Sequence, residues 1–163
     1  IAVLTGEESE KDLEGIGEDI FTFFGMGCRN VTKIFIPQNY DLKILLRVLD
    51  SYHPLCQHNK YSNNVDYYRT MYLMNQVPLL DNEVLLLKED PAIASPVGVV
   101  FYERYSEIRW VLDQLRDRSE EIQCVISMHP DIKDALLPGT TQDPMPWDYA
   151  DGVDTIRFLK EKL

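Results

Sequence analysis

Residues Phe21–Pro37 read FTFFGMGCRNVTKIFIP, and they join the end of an apolar helix to a β-branched strand. The glycines Gly25 and Gly27 allow a left-handed turn at the helix end and leave room beside the backbone. The run Val31–Pro37 is rich in strand formers and is stopped by proline. The cysteine between these two parts, Cys28, therefore lies at a predicted helix-to-strand corner.

Cys28 at this corner is a candidate nucleophile. Main-chain N–H groups released at the turn, around Gly27 and Asn30, could stabilise an oxyanion. Arg29 places positive charge next to the sulfur, which favours the thiolate, whereas the negative end of the preceding helix opposes it. The alternative is a buried, inert cysteine, because cysteine is among the most buried residue types. The corner by itself leaves both interpretations open.

The composition is typical of a soluble globular protein and argues against several classes of partner. Hydrophobic residues make up 45% of the 163 residues, charged residues make up 26%, and the net charge is −11. This charge argues against nucleic acid or an anionic membrane surface as a partner. Because no apolar run approaches the roughly 20 residues of a membrane span, we expect a cytoplasmic protein. Cys28, Cys56 and Cys124 form no close pair, which predicts reduced thiols.

Helical and strand periodicities alternate along the chain, and this predicts one α/β domain with a largely parallel or mixed sheet. Predicted strands lie at about 1–5, 31–36, 83–88, 98–102 and 122–127, and predicted helices at about 9–24, 41–49, 60–75, 103–118 and 151–163. Asp41 is expected to cap the second helix. Gly15 and Gly17 each cost the first helix up to about 1 kcal/mol relative to alanine, so we expect a neighbouring element to pack closely there.

Asp151 can cap the last predicted helix, which carries an apolar stripe. The stripe consists of Val153, Ile156, Leu159 and Leu163.

Other groups of reactive residues carry weaker signals. His53, Cys56 and His58 could bind a metal, but a fourth ligand is missing, so a polar loop is favoured and no metal is predicted. Residues 138–141 (PGTT) are predicted to form a surface turn rather than an anion site. The chain contains no Gly-x-Gly-x-x-Gly and no P-loop motif, so a dinucleotide would need other loops or another domain.

Five segments occur in an informative order: IAVLTG (1–6), GEDIFTFFGMGCRN (17–30), HNKYSNNVDYY (58–68), LDNEVLLLKEDPAIASP (80–96) and WDYADGVDTIRFL (147–159). Together they resemble the C-terminal part of bacterial fatty acyl-CoA reductases of the LuxC type, a branch of the aldehyde dehydrogenase superfamily. The resemblance covers nearly the whole chain. It implies a three-layer α/β/α catalytic domain in which the residue matching Cys28 accepts the acyl group.

The resemblance also implies a reaction and a division into domains. Cys28 would take the acyl group of a fatty acyl-CoA as a thioester, and NADPH would supply the electrons that convert it to the aldehyde. Residues 1–163 would form the C-terminal catalytic domain, while the cofactor-binding domain and the general base would lie upstream of Ile1. A homo-oligomer is expected from the same kinship.

The superfamily places a Glu-x-Phe-Gly-Pro-Val run against the nicotinamide ribose, and the matching run here is Ala92–Val97 (AIASPV). The glutamate is absent from this run. Ser95 and Pro96 remain the expected contacts with the cofactor, whether NADPH or NADH. The competing hypothesis is a non-enzymatic α/β assembly module in which Cys28 is a buried structural cysteine.

Overall fold

The computed structural model describes residues 1–149 and 152–162. Its strands are β1 (Ala2–Val3), β2 (Lys33–Pro37), β3 (Leu80–Asp81), β4 (Leu86–Glu89), β5 (Val99–Tyr105) and β6 (Ile126–Ser127). Its α-helices are α1 (Glu10–Phe21), α2 (Leu42–Leu49), α3 (Asn59–Met74), α4 (Ile108–Asp117) and α5 (Thr155–Glu161). Of these helices, none is long and apolar enough to cross a membrane.

The strands form one mixed sheet in the order β3-β4-β5-β2-β1-β6. All neighbouring pairs are parallel except β3 and β4, which are antiparallel. The central strand β2 is buried along most of its length, as expected for a parallel strand covered on both faces. The predicted α/β class with a mostly parallel, mixed sheet is confirmed.

Helices cover both faces of this sheet. On one face, α1, α2 and α3 pack on the larger apolar core, whose buried members include Leu13, Ile16, Leu45, Val65 and Ile34. On the other face, α4 packs on a smaller core through Val111, against Val3 and Phe35. This arrangement is consistent with the expected three layers.

The start of α1 follows from local side-chain chemistry. The Ser9 hydroxyl accepts a hydrogen bond from Asp12 N, and the Asp12 carboxylate accepts one from Ser9 N, which together form a capping box. The Asp41 side chain accepts from Lys43 N at the start of α2, as predicted. Both helices therefore begin where their capping residues require.

The two glycines inside α1 allow close contacts with neighbouring elements. A Cβ built on Gly15 would lie 2.7 Å from the Pro138 carbonyl carbon, and one on Gly17 would lie 2.5 Å from a Tyr52 ring carbon. The close packing expected at these positions is confirmed. The Pro-Gly-Thr-Thr turn thus packs against α1 and is not a free surface loop.

Several predicted boundaries shift in the structure. Strand β5 continues to Tyr105, so α4 begins at Ile108 and not near residue 103. Strand β4 begins at Leu86, because residues 82–85 turn the chain back from the short strand β3. Only residues 126–127 of the strand predicted at 122–127 pair with the sheet.

The last predicted helix is present, but it starts later than predicted and its apolar stripe is not buried. The helix begins at Thr155 and is capped by Asp154, whose side chain accepts from Arg157 N. Its predicted apolar stripe is exposed at Val153, Ile156 and Leu159. The predicted cap Asp151 and the last stripe residue Leu163 lie outside the described residues. A short helix at the margin of the fold can show apolar periodicity without a face to bury it.

Candidate functional site

The chain leaves α1 through a left-handed turn. Helix α1 ends at Phe21, and the 3-10 turn that follows contains Phe23 (φ 54°), Phe24 (φ 60°) and Gly25 (φ 69°) in the left-handed region. Glycine adopts this conformation readily, whereas each phenylalanine costs roughly 1–2 kcal/mol. The left-handed glycine was anticipated by the sequence, but the two strained phenylalanines were not.

Neighbouring groups hold this turn in place. The Phe24 ring stacks on the His58 ring with centroids 4.1 Å apart. The Asn30 side-chain amide donates to the Gly25 carbonyl at 2.6 Å. A Cβ on Gly25 would lie 3.1 Å from the Ile20 carbonyl oxygen, so a side chain at this position would be crowded as well as strained. The surrounding contacts therefore maintain a strained backbone, as is common at functional sites.

Cys28 lies on a second, tighter turn. Asn30 N donates to the Gly27 carbonyl at 3.2 Å, which places Cys28 and Arg29 at the centre of a four-residue turn. The Cys28 side chain is exposed. Within the described part of the chain, the main-chain N–H groups of Cys28 and Arg29 donate no hydrogen bond. An accessible thiol next to free N–H groups is an arrangement that can receive an acyl group.

A small cavity of about 130 Å³ opens beside Cys28. We call the edge of the sheet where the parallel strands begin the amino edge, and this cavity lies there because its lining precedes β1, β2, β5 and β6. The lining consists of Ile1, Cys28, Arg29, Asn30, Thr32, Ile93, Ala94, Glu121, Ile122, Gln123 and Cys124. The fold thus brings together residues that are nearly 100 positions apart in sequence.

Arg29 contacts both Cys124 and a distant segment of the chain. The Cys124 thiol lies 3.9 Å from the Arg29 carbonyl, and the Arg29 guanidinium donates to the Asp148 carbonyl at 3.2 Å. Burial raises the pKa of the Cys124 thiol, and the Arg29 charge opposes this only in part. Cys124 is therefore the less reactive of the two thiols that line the cavity. No feature of the sequence indicated that these two cysteines share a cavity.

The run that was expected to contact the cofactor lies partly at this cavity. Ile93 and Ala94 line it, whereas Ser95 and Pro96 do not. The Ser95 hydroxyl donates to the Val99 carbonyl at 2.6 Å, and the Pro96 carbonyl accepts from Val99 N at 3.0 Å. Both residues thus form the turn into β5, and their contact with a cofactor stays a prediction.

A buried lysine next to the cavity was missed at the sequence level. The Lys33 side chain has 0% exposure, and its ammonium lies 2.7 Å from a Glu103 carboxylate oxygen. It also donates to the Asp90 carbonyl. Burial lowers the pKa of Lys33, and the hydrogen bond to Glu103 opposes this. The signal in the sequence was a lysine between Thr32 and Ile34, inside a predicted buried strand.

A buried carboxylate holds a second segment against the amino edge. Asp19 has 1% exposure, and it accepts from Gly139 N at 2.7 Å, Thr141 N at 3.0 Å and the Thr141 hydroxyl at 2.7 Å. The next residue, Gln142, packs against the Cys28 turn, since a Cβ on Gly27 would lie 2.5 Å from its side-chain oxygen. Asp19 therefore supports the Cys28 turn through residues 139–142.

The residues of the weak metal signal have other contacts. His53 lies 3.3 Å from the Glu83 carboxylate, the Cys56 thiol lies 3.8 Å from the Glu83 carbonyl, and His58 accepts from Tyr61 N at 3.4 Å. Across residues 1–149 and 152–162, no group of three histidine, cysteine or acidic side chains could hold a metal ion.

A larger cavity of about 740 Å³ lies at the opposite edge, where the parallel strands end. We call this the carboxyl edge. Its lining lies at or just after the ends of β1, β2, β5 and β6 and consists of Thr5, Glu7, Pro37, Gln38, Asn39, Tyr105, Ser106, Met128, His129 and Pro130. In open parallel sheets, ligands commonly bind at this edge. The cavity was not anticipated from sequence, because its lining comes from four separate loops.

Comparison with known proteins adds no identification. The sequence matches no protein-family model, and a search of curated proteins found no significant match.

Proposed function

We propose that this chain supplies the acyl-accepting cysteine of a fatty acyl-CoA reductase. The observation that carries the proposal is the position of Cys28: an exposed thiol on a tight turn, next to free main-chain N–H groups and a small cavity. The resemblance of the surrounding sequence to acyl-CoA reductases supports the same assignment. A buried, inert Cys28, as in the competing hypothesis of an assembly module, does not agree with this exposure.

The acyl transfer can be written with residues of this chain alone. The Cys28 thiolate attacks the thioester carbonyl carbon, and the N–H groups of Cys28 and Arg29 are the proposed donors to the oxyanion that forms. The new carbon–sulfur bond to Cys28 forms as the bond to the CoA sulfur breaks. CoA leaves as a thiolate and takes up a proton, while the Cys28 proton passes to solvent or to a base. No electrons are gained or lost in this half of the reaction.

The reductive half would need NADPH, which supplies two electrons as hydride when bound. Beside Cys28 a dinucleotide would need further residues, because this cavity measures only about 130 Å³ and the Ser95 hydroxyl is already hydrogen-bonded within its loop. We therefore assign cofactor binding and the general base to a domain other than residues 1–163. Residues 1–163 would form the catalytic domain of a cytoplasmic homo-oligomer.

The test is covalent capture of the acyl group. The protein is incubated with radiolabelled palmitoyl-CoA at neutral pH, and the labelled peptide is mapped after proteolysis. One acyl group is expected on Cys28, released by hydroxylamine as a thioester should be. Cys28→Ser should lower capture by at least about 100-fold, because the alkoxide needed at the serine is far less accessible than a thiolate at this pH.

Cys56→Ser is the matched control, since Cys56 lies away from the amino-edge cavity and should leave capture unchanged. Equal labelling of the Cys28→Ser variant would refute the assignment. Complete absence of hydroxylamine-sensitive label on the wild-type protein would favour the assembly module.

A further inference from the structure

The loop between β4 and β5, residues 90–98, forms one wall of the Cys28 cavity. It carries Ile93 and Ala94 into the lining, and Ile93 is also part of the smaller apolar core. The position of this loop therefore sets the shape of the space into which the Cys28 thiol opens.

Three side chains from outside the loop hold its main-chain carbonyls. The Lys33 ammonium donates to the Asp90 carbonyl, and the Arg118 guanidinium donates to the Pro91 carbonyl at 2.9 Å. The Thr32 hydroxyl donates to the Ile93 carbonyl at 2.8 Å. Two of these three donors are adjacent residues at the start of β2, the strand that follows directly from the Cys28 turn. The Cys28 turn and the loop of residues 90–98 are thus both connected to the start of β2.

Lys33 is the most costly of these donors. Its ammonium is fully buried, and taking such a charge out of water costs several kcal/mol unless the partners compensate for it. A methionine of similar length would fill the same volume without this cost. A methionine could make neither the ion pair with Glu103 nor the hydrogen bond to the Asp90 carbonyl. Without Lys33, the Glu103 carboxylate, with 23% of its side chain exposed, would still reach water, so the loss specific to the loop is the bond to the Asp90 carbonyl.

We propose that Lys33 is a positioning residue for the Cys28 cavity: its ammonium holds the Asp90 carbonyl and thereby keeps Ile93 and Ala94 against Cys28. The effect on acyl transfer rests on the proposed function. The wall orients a bulky thioester relative to the sulfur, and a misplaced wall slows the transfer even though the thiol stays accessible. Lys33 itself touches neither the thiol nor the acyl group.

The test combines hydrogen exchange with two reactions of Cys28. In Lys33→Met, amide exchange over residues 90–94 is expected to be at least about tenfold faster than in wild type, because opening of the loop becomes easier. Capture of the acyl group from palmitoyl-CoA should slow by about tenfold. Alkylation by iodoacetamide should change by less than about twofold, because this small reagent needs only an exposed thiolate.

Two further variants keep the test decisive. Thr32→Val removes the hydrogen bond to the Ile93 carbonyl at almost constant side-chain volume. It should also speed amide exchange over residues 90–94 and slow acyl capture, so it replaces Lys33→Met if that variant does not fold. Arg116→Gln removes an exposed charge two residues from Arg118 and should leave all three readouts unchanged.

Unchanged exchange over residues 90–94 in a folded Lys33→Met variant would overturn the proposal, and so would unchanged exchange in Thr32→Val if Lys33→Met does not fold. A parallel fall of capture and alkylation would overturn it as well, because general destabilisation would then explain the result. Failure of the proposed function is a separate outcome: wild-type protein would take up no acyl group, while the exchange data would still decide whether Lys33 holds the loop.

Discussion

The amino and carboxyl edges of the sheet differ in both size and chemistry. The amino-edge cavity measures about 130 Å³, and its lining contains two thiols, a guanidinium and the carboxylate of Glu121. The carboxyl-edge cavity measures about 740 Å³, and its lining contains a single imidazole and a single carboxylate but no cysteine, lysine or arginine. The available space lies at one edge, and the nucleophile lies at the other.

The polar side chains at the two edges also differ. At the amino edge, Asp19, Thr32 and Lys33 bind main-chain groups of other segments, so distant loops are drawn close together. At the carboxyl edge, four polar lining residues are exposed: Glu7, Gln38, Asn39 and Ser106. Since parallel α/β sheets commonly bind ligands at the carboxyl edge, the proposed chemistry depends on Cys28 itself and not on this general rule.

The largest expected effect tests whether the amino edge is held together by buried polar groups. Asp19→Ala removes the acceptor of three hydrogen bonds from Gly139 and Thr141, and it leaves the two buried Thr141 donors and the partly buried Gly139 N–H without this acceptor. We expect the free energy of unfolding to fall by about 3 kcal/mol, measured by urea denaturation. The exposed neighbour Glu14 provides the control, since Glu14→Ala should change stability by less than about 0.5 kcal/mol. A loss below about 1 kcal/mol for Asp19→Ala would show that the carboxylate does not hold this segment.

The second prediction compares the three thiols. Because Cys28 is exposed and burial raises the pKa of both Cys124 and Cys56, iodoacetamide at pH 7 should alkylate Cys28 on the order of 10–100-fold faster. Peptide mass mapping over time gives the three rates. The alkylation rates of Cys124 and Cys56 should continue to rise as the pH passes the ordinary pKa of a thiol, since these two thiolates form only at higher pH. Equal alkylation rates for all three thiols at pH 7 would contradict the prediction that Cys28 is the most reactive of them.

The smallest effect concerns two tyrosines at the carboxyl edge. The Tyr105 hydroxyl donates to the Leu4 carbonyl at 2.6 Å, whereas the buried Tyr40 hydroxyl has no partner within the described part of the chain. We expect Tyr105→Phe to lower the free energy of unfolding by about 1 kcal/mol and Tyr40→Phe to raise it by up to about 1 kcal/mol. Urea denaturation at pH 7 measures both, and changes of the same sign would contradict the assignment.

The contribution of Tyr40 to the free energy of unfolding depends on pH with a defined sign. Burial, with smaller contributions from Glu8 and Asp41, raises the pKa of Tyr40 to about 12 from the ordinary value of 10.0. The neutral form is therefore favoured in the folded state, so this contribution to stability is complete below pH 10 and is lost as the pH rises towards 12. Tyr40→Phe should remove part of the alkaline loss of stability.

Much of the fold could be predicted because its signals are local. The caps Ser9 and Asp41 hydrogen-bond to the first turns of their own helices, and the apolar spacing of α1 and α2 directly records which face is buried. The same spacing misled at α5, because periodicity reports a possible apolar face and not the presence of a surface that covers it. The exposed Ile156 and Leu159 show this difference.

In the candidate site, too, the features that depend on local sequence could be predicted, and those that depend on distant segments could not. The sequence by itself determined the α/β class, the helix-to-strand corner and the place of Cys28 in it, because each depends on residues a few positions apart. Only the tertiary structure decided that Ile93, Ala94 and Cys124 line a cavity with that thiol, and that the buried Lys33 holds the loop of residues 90–98. Parallel strands place the loops that precede them at one edge, and no spacing along the chain records which distant loops will meet there.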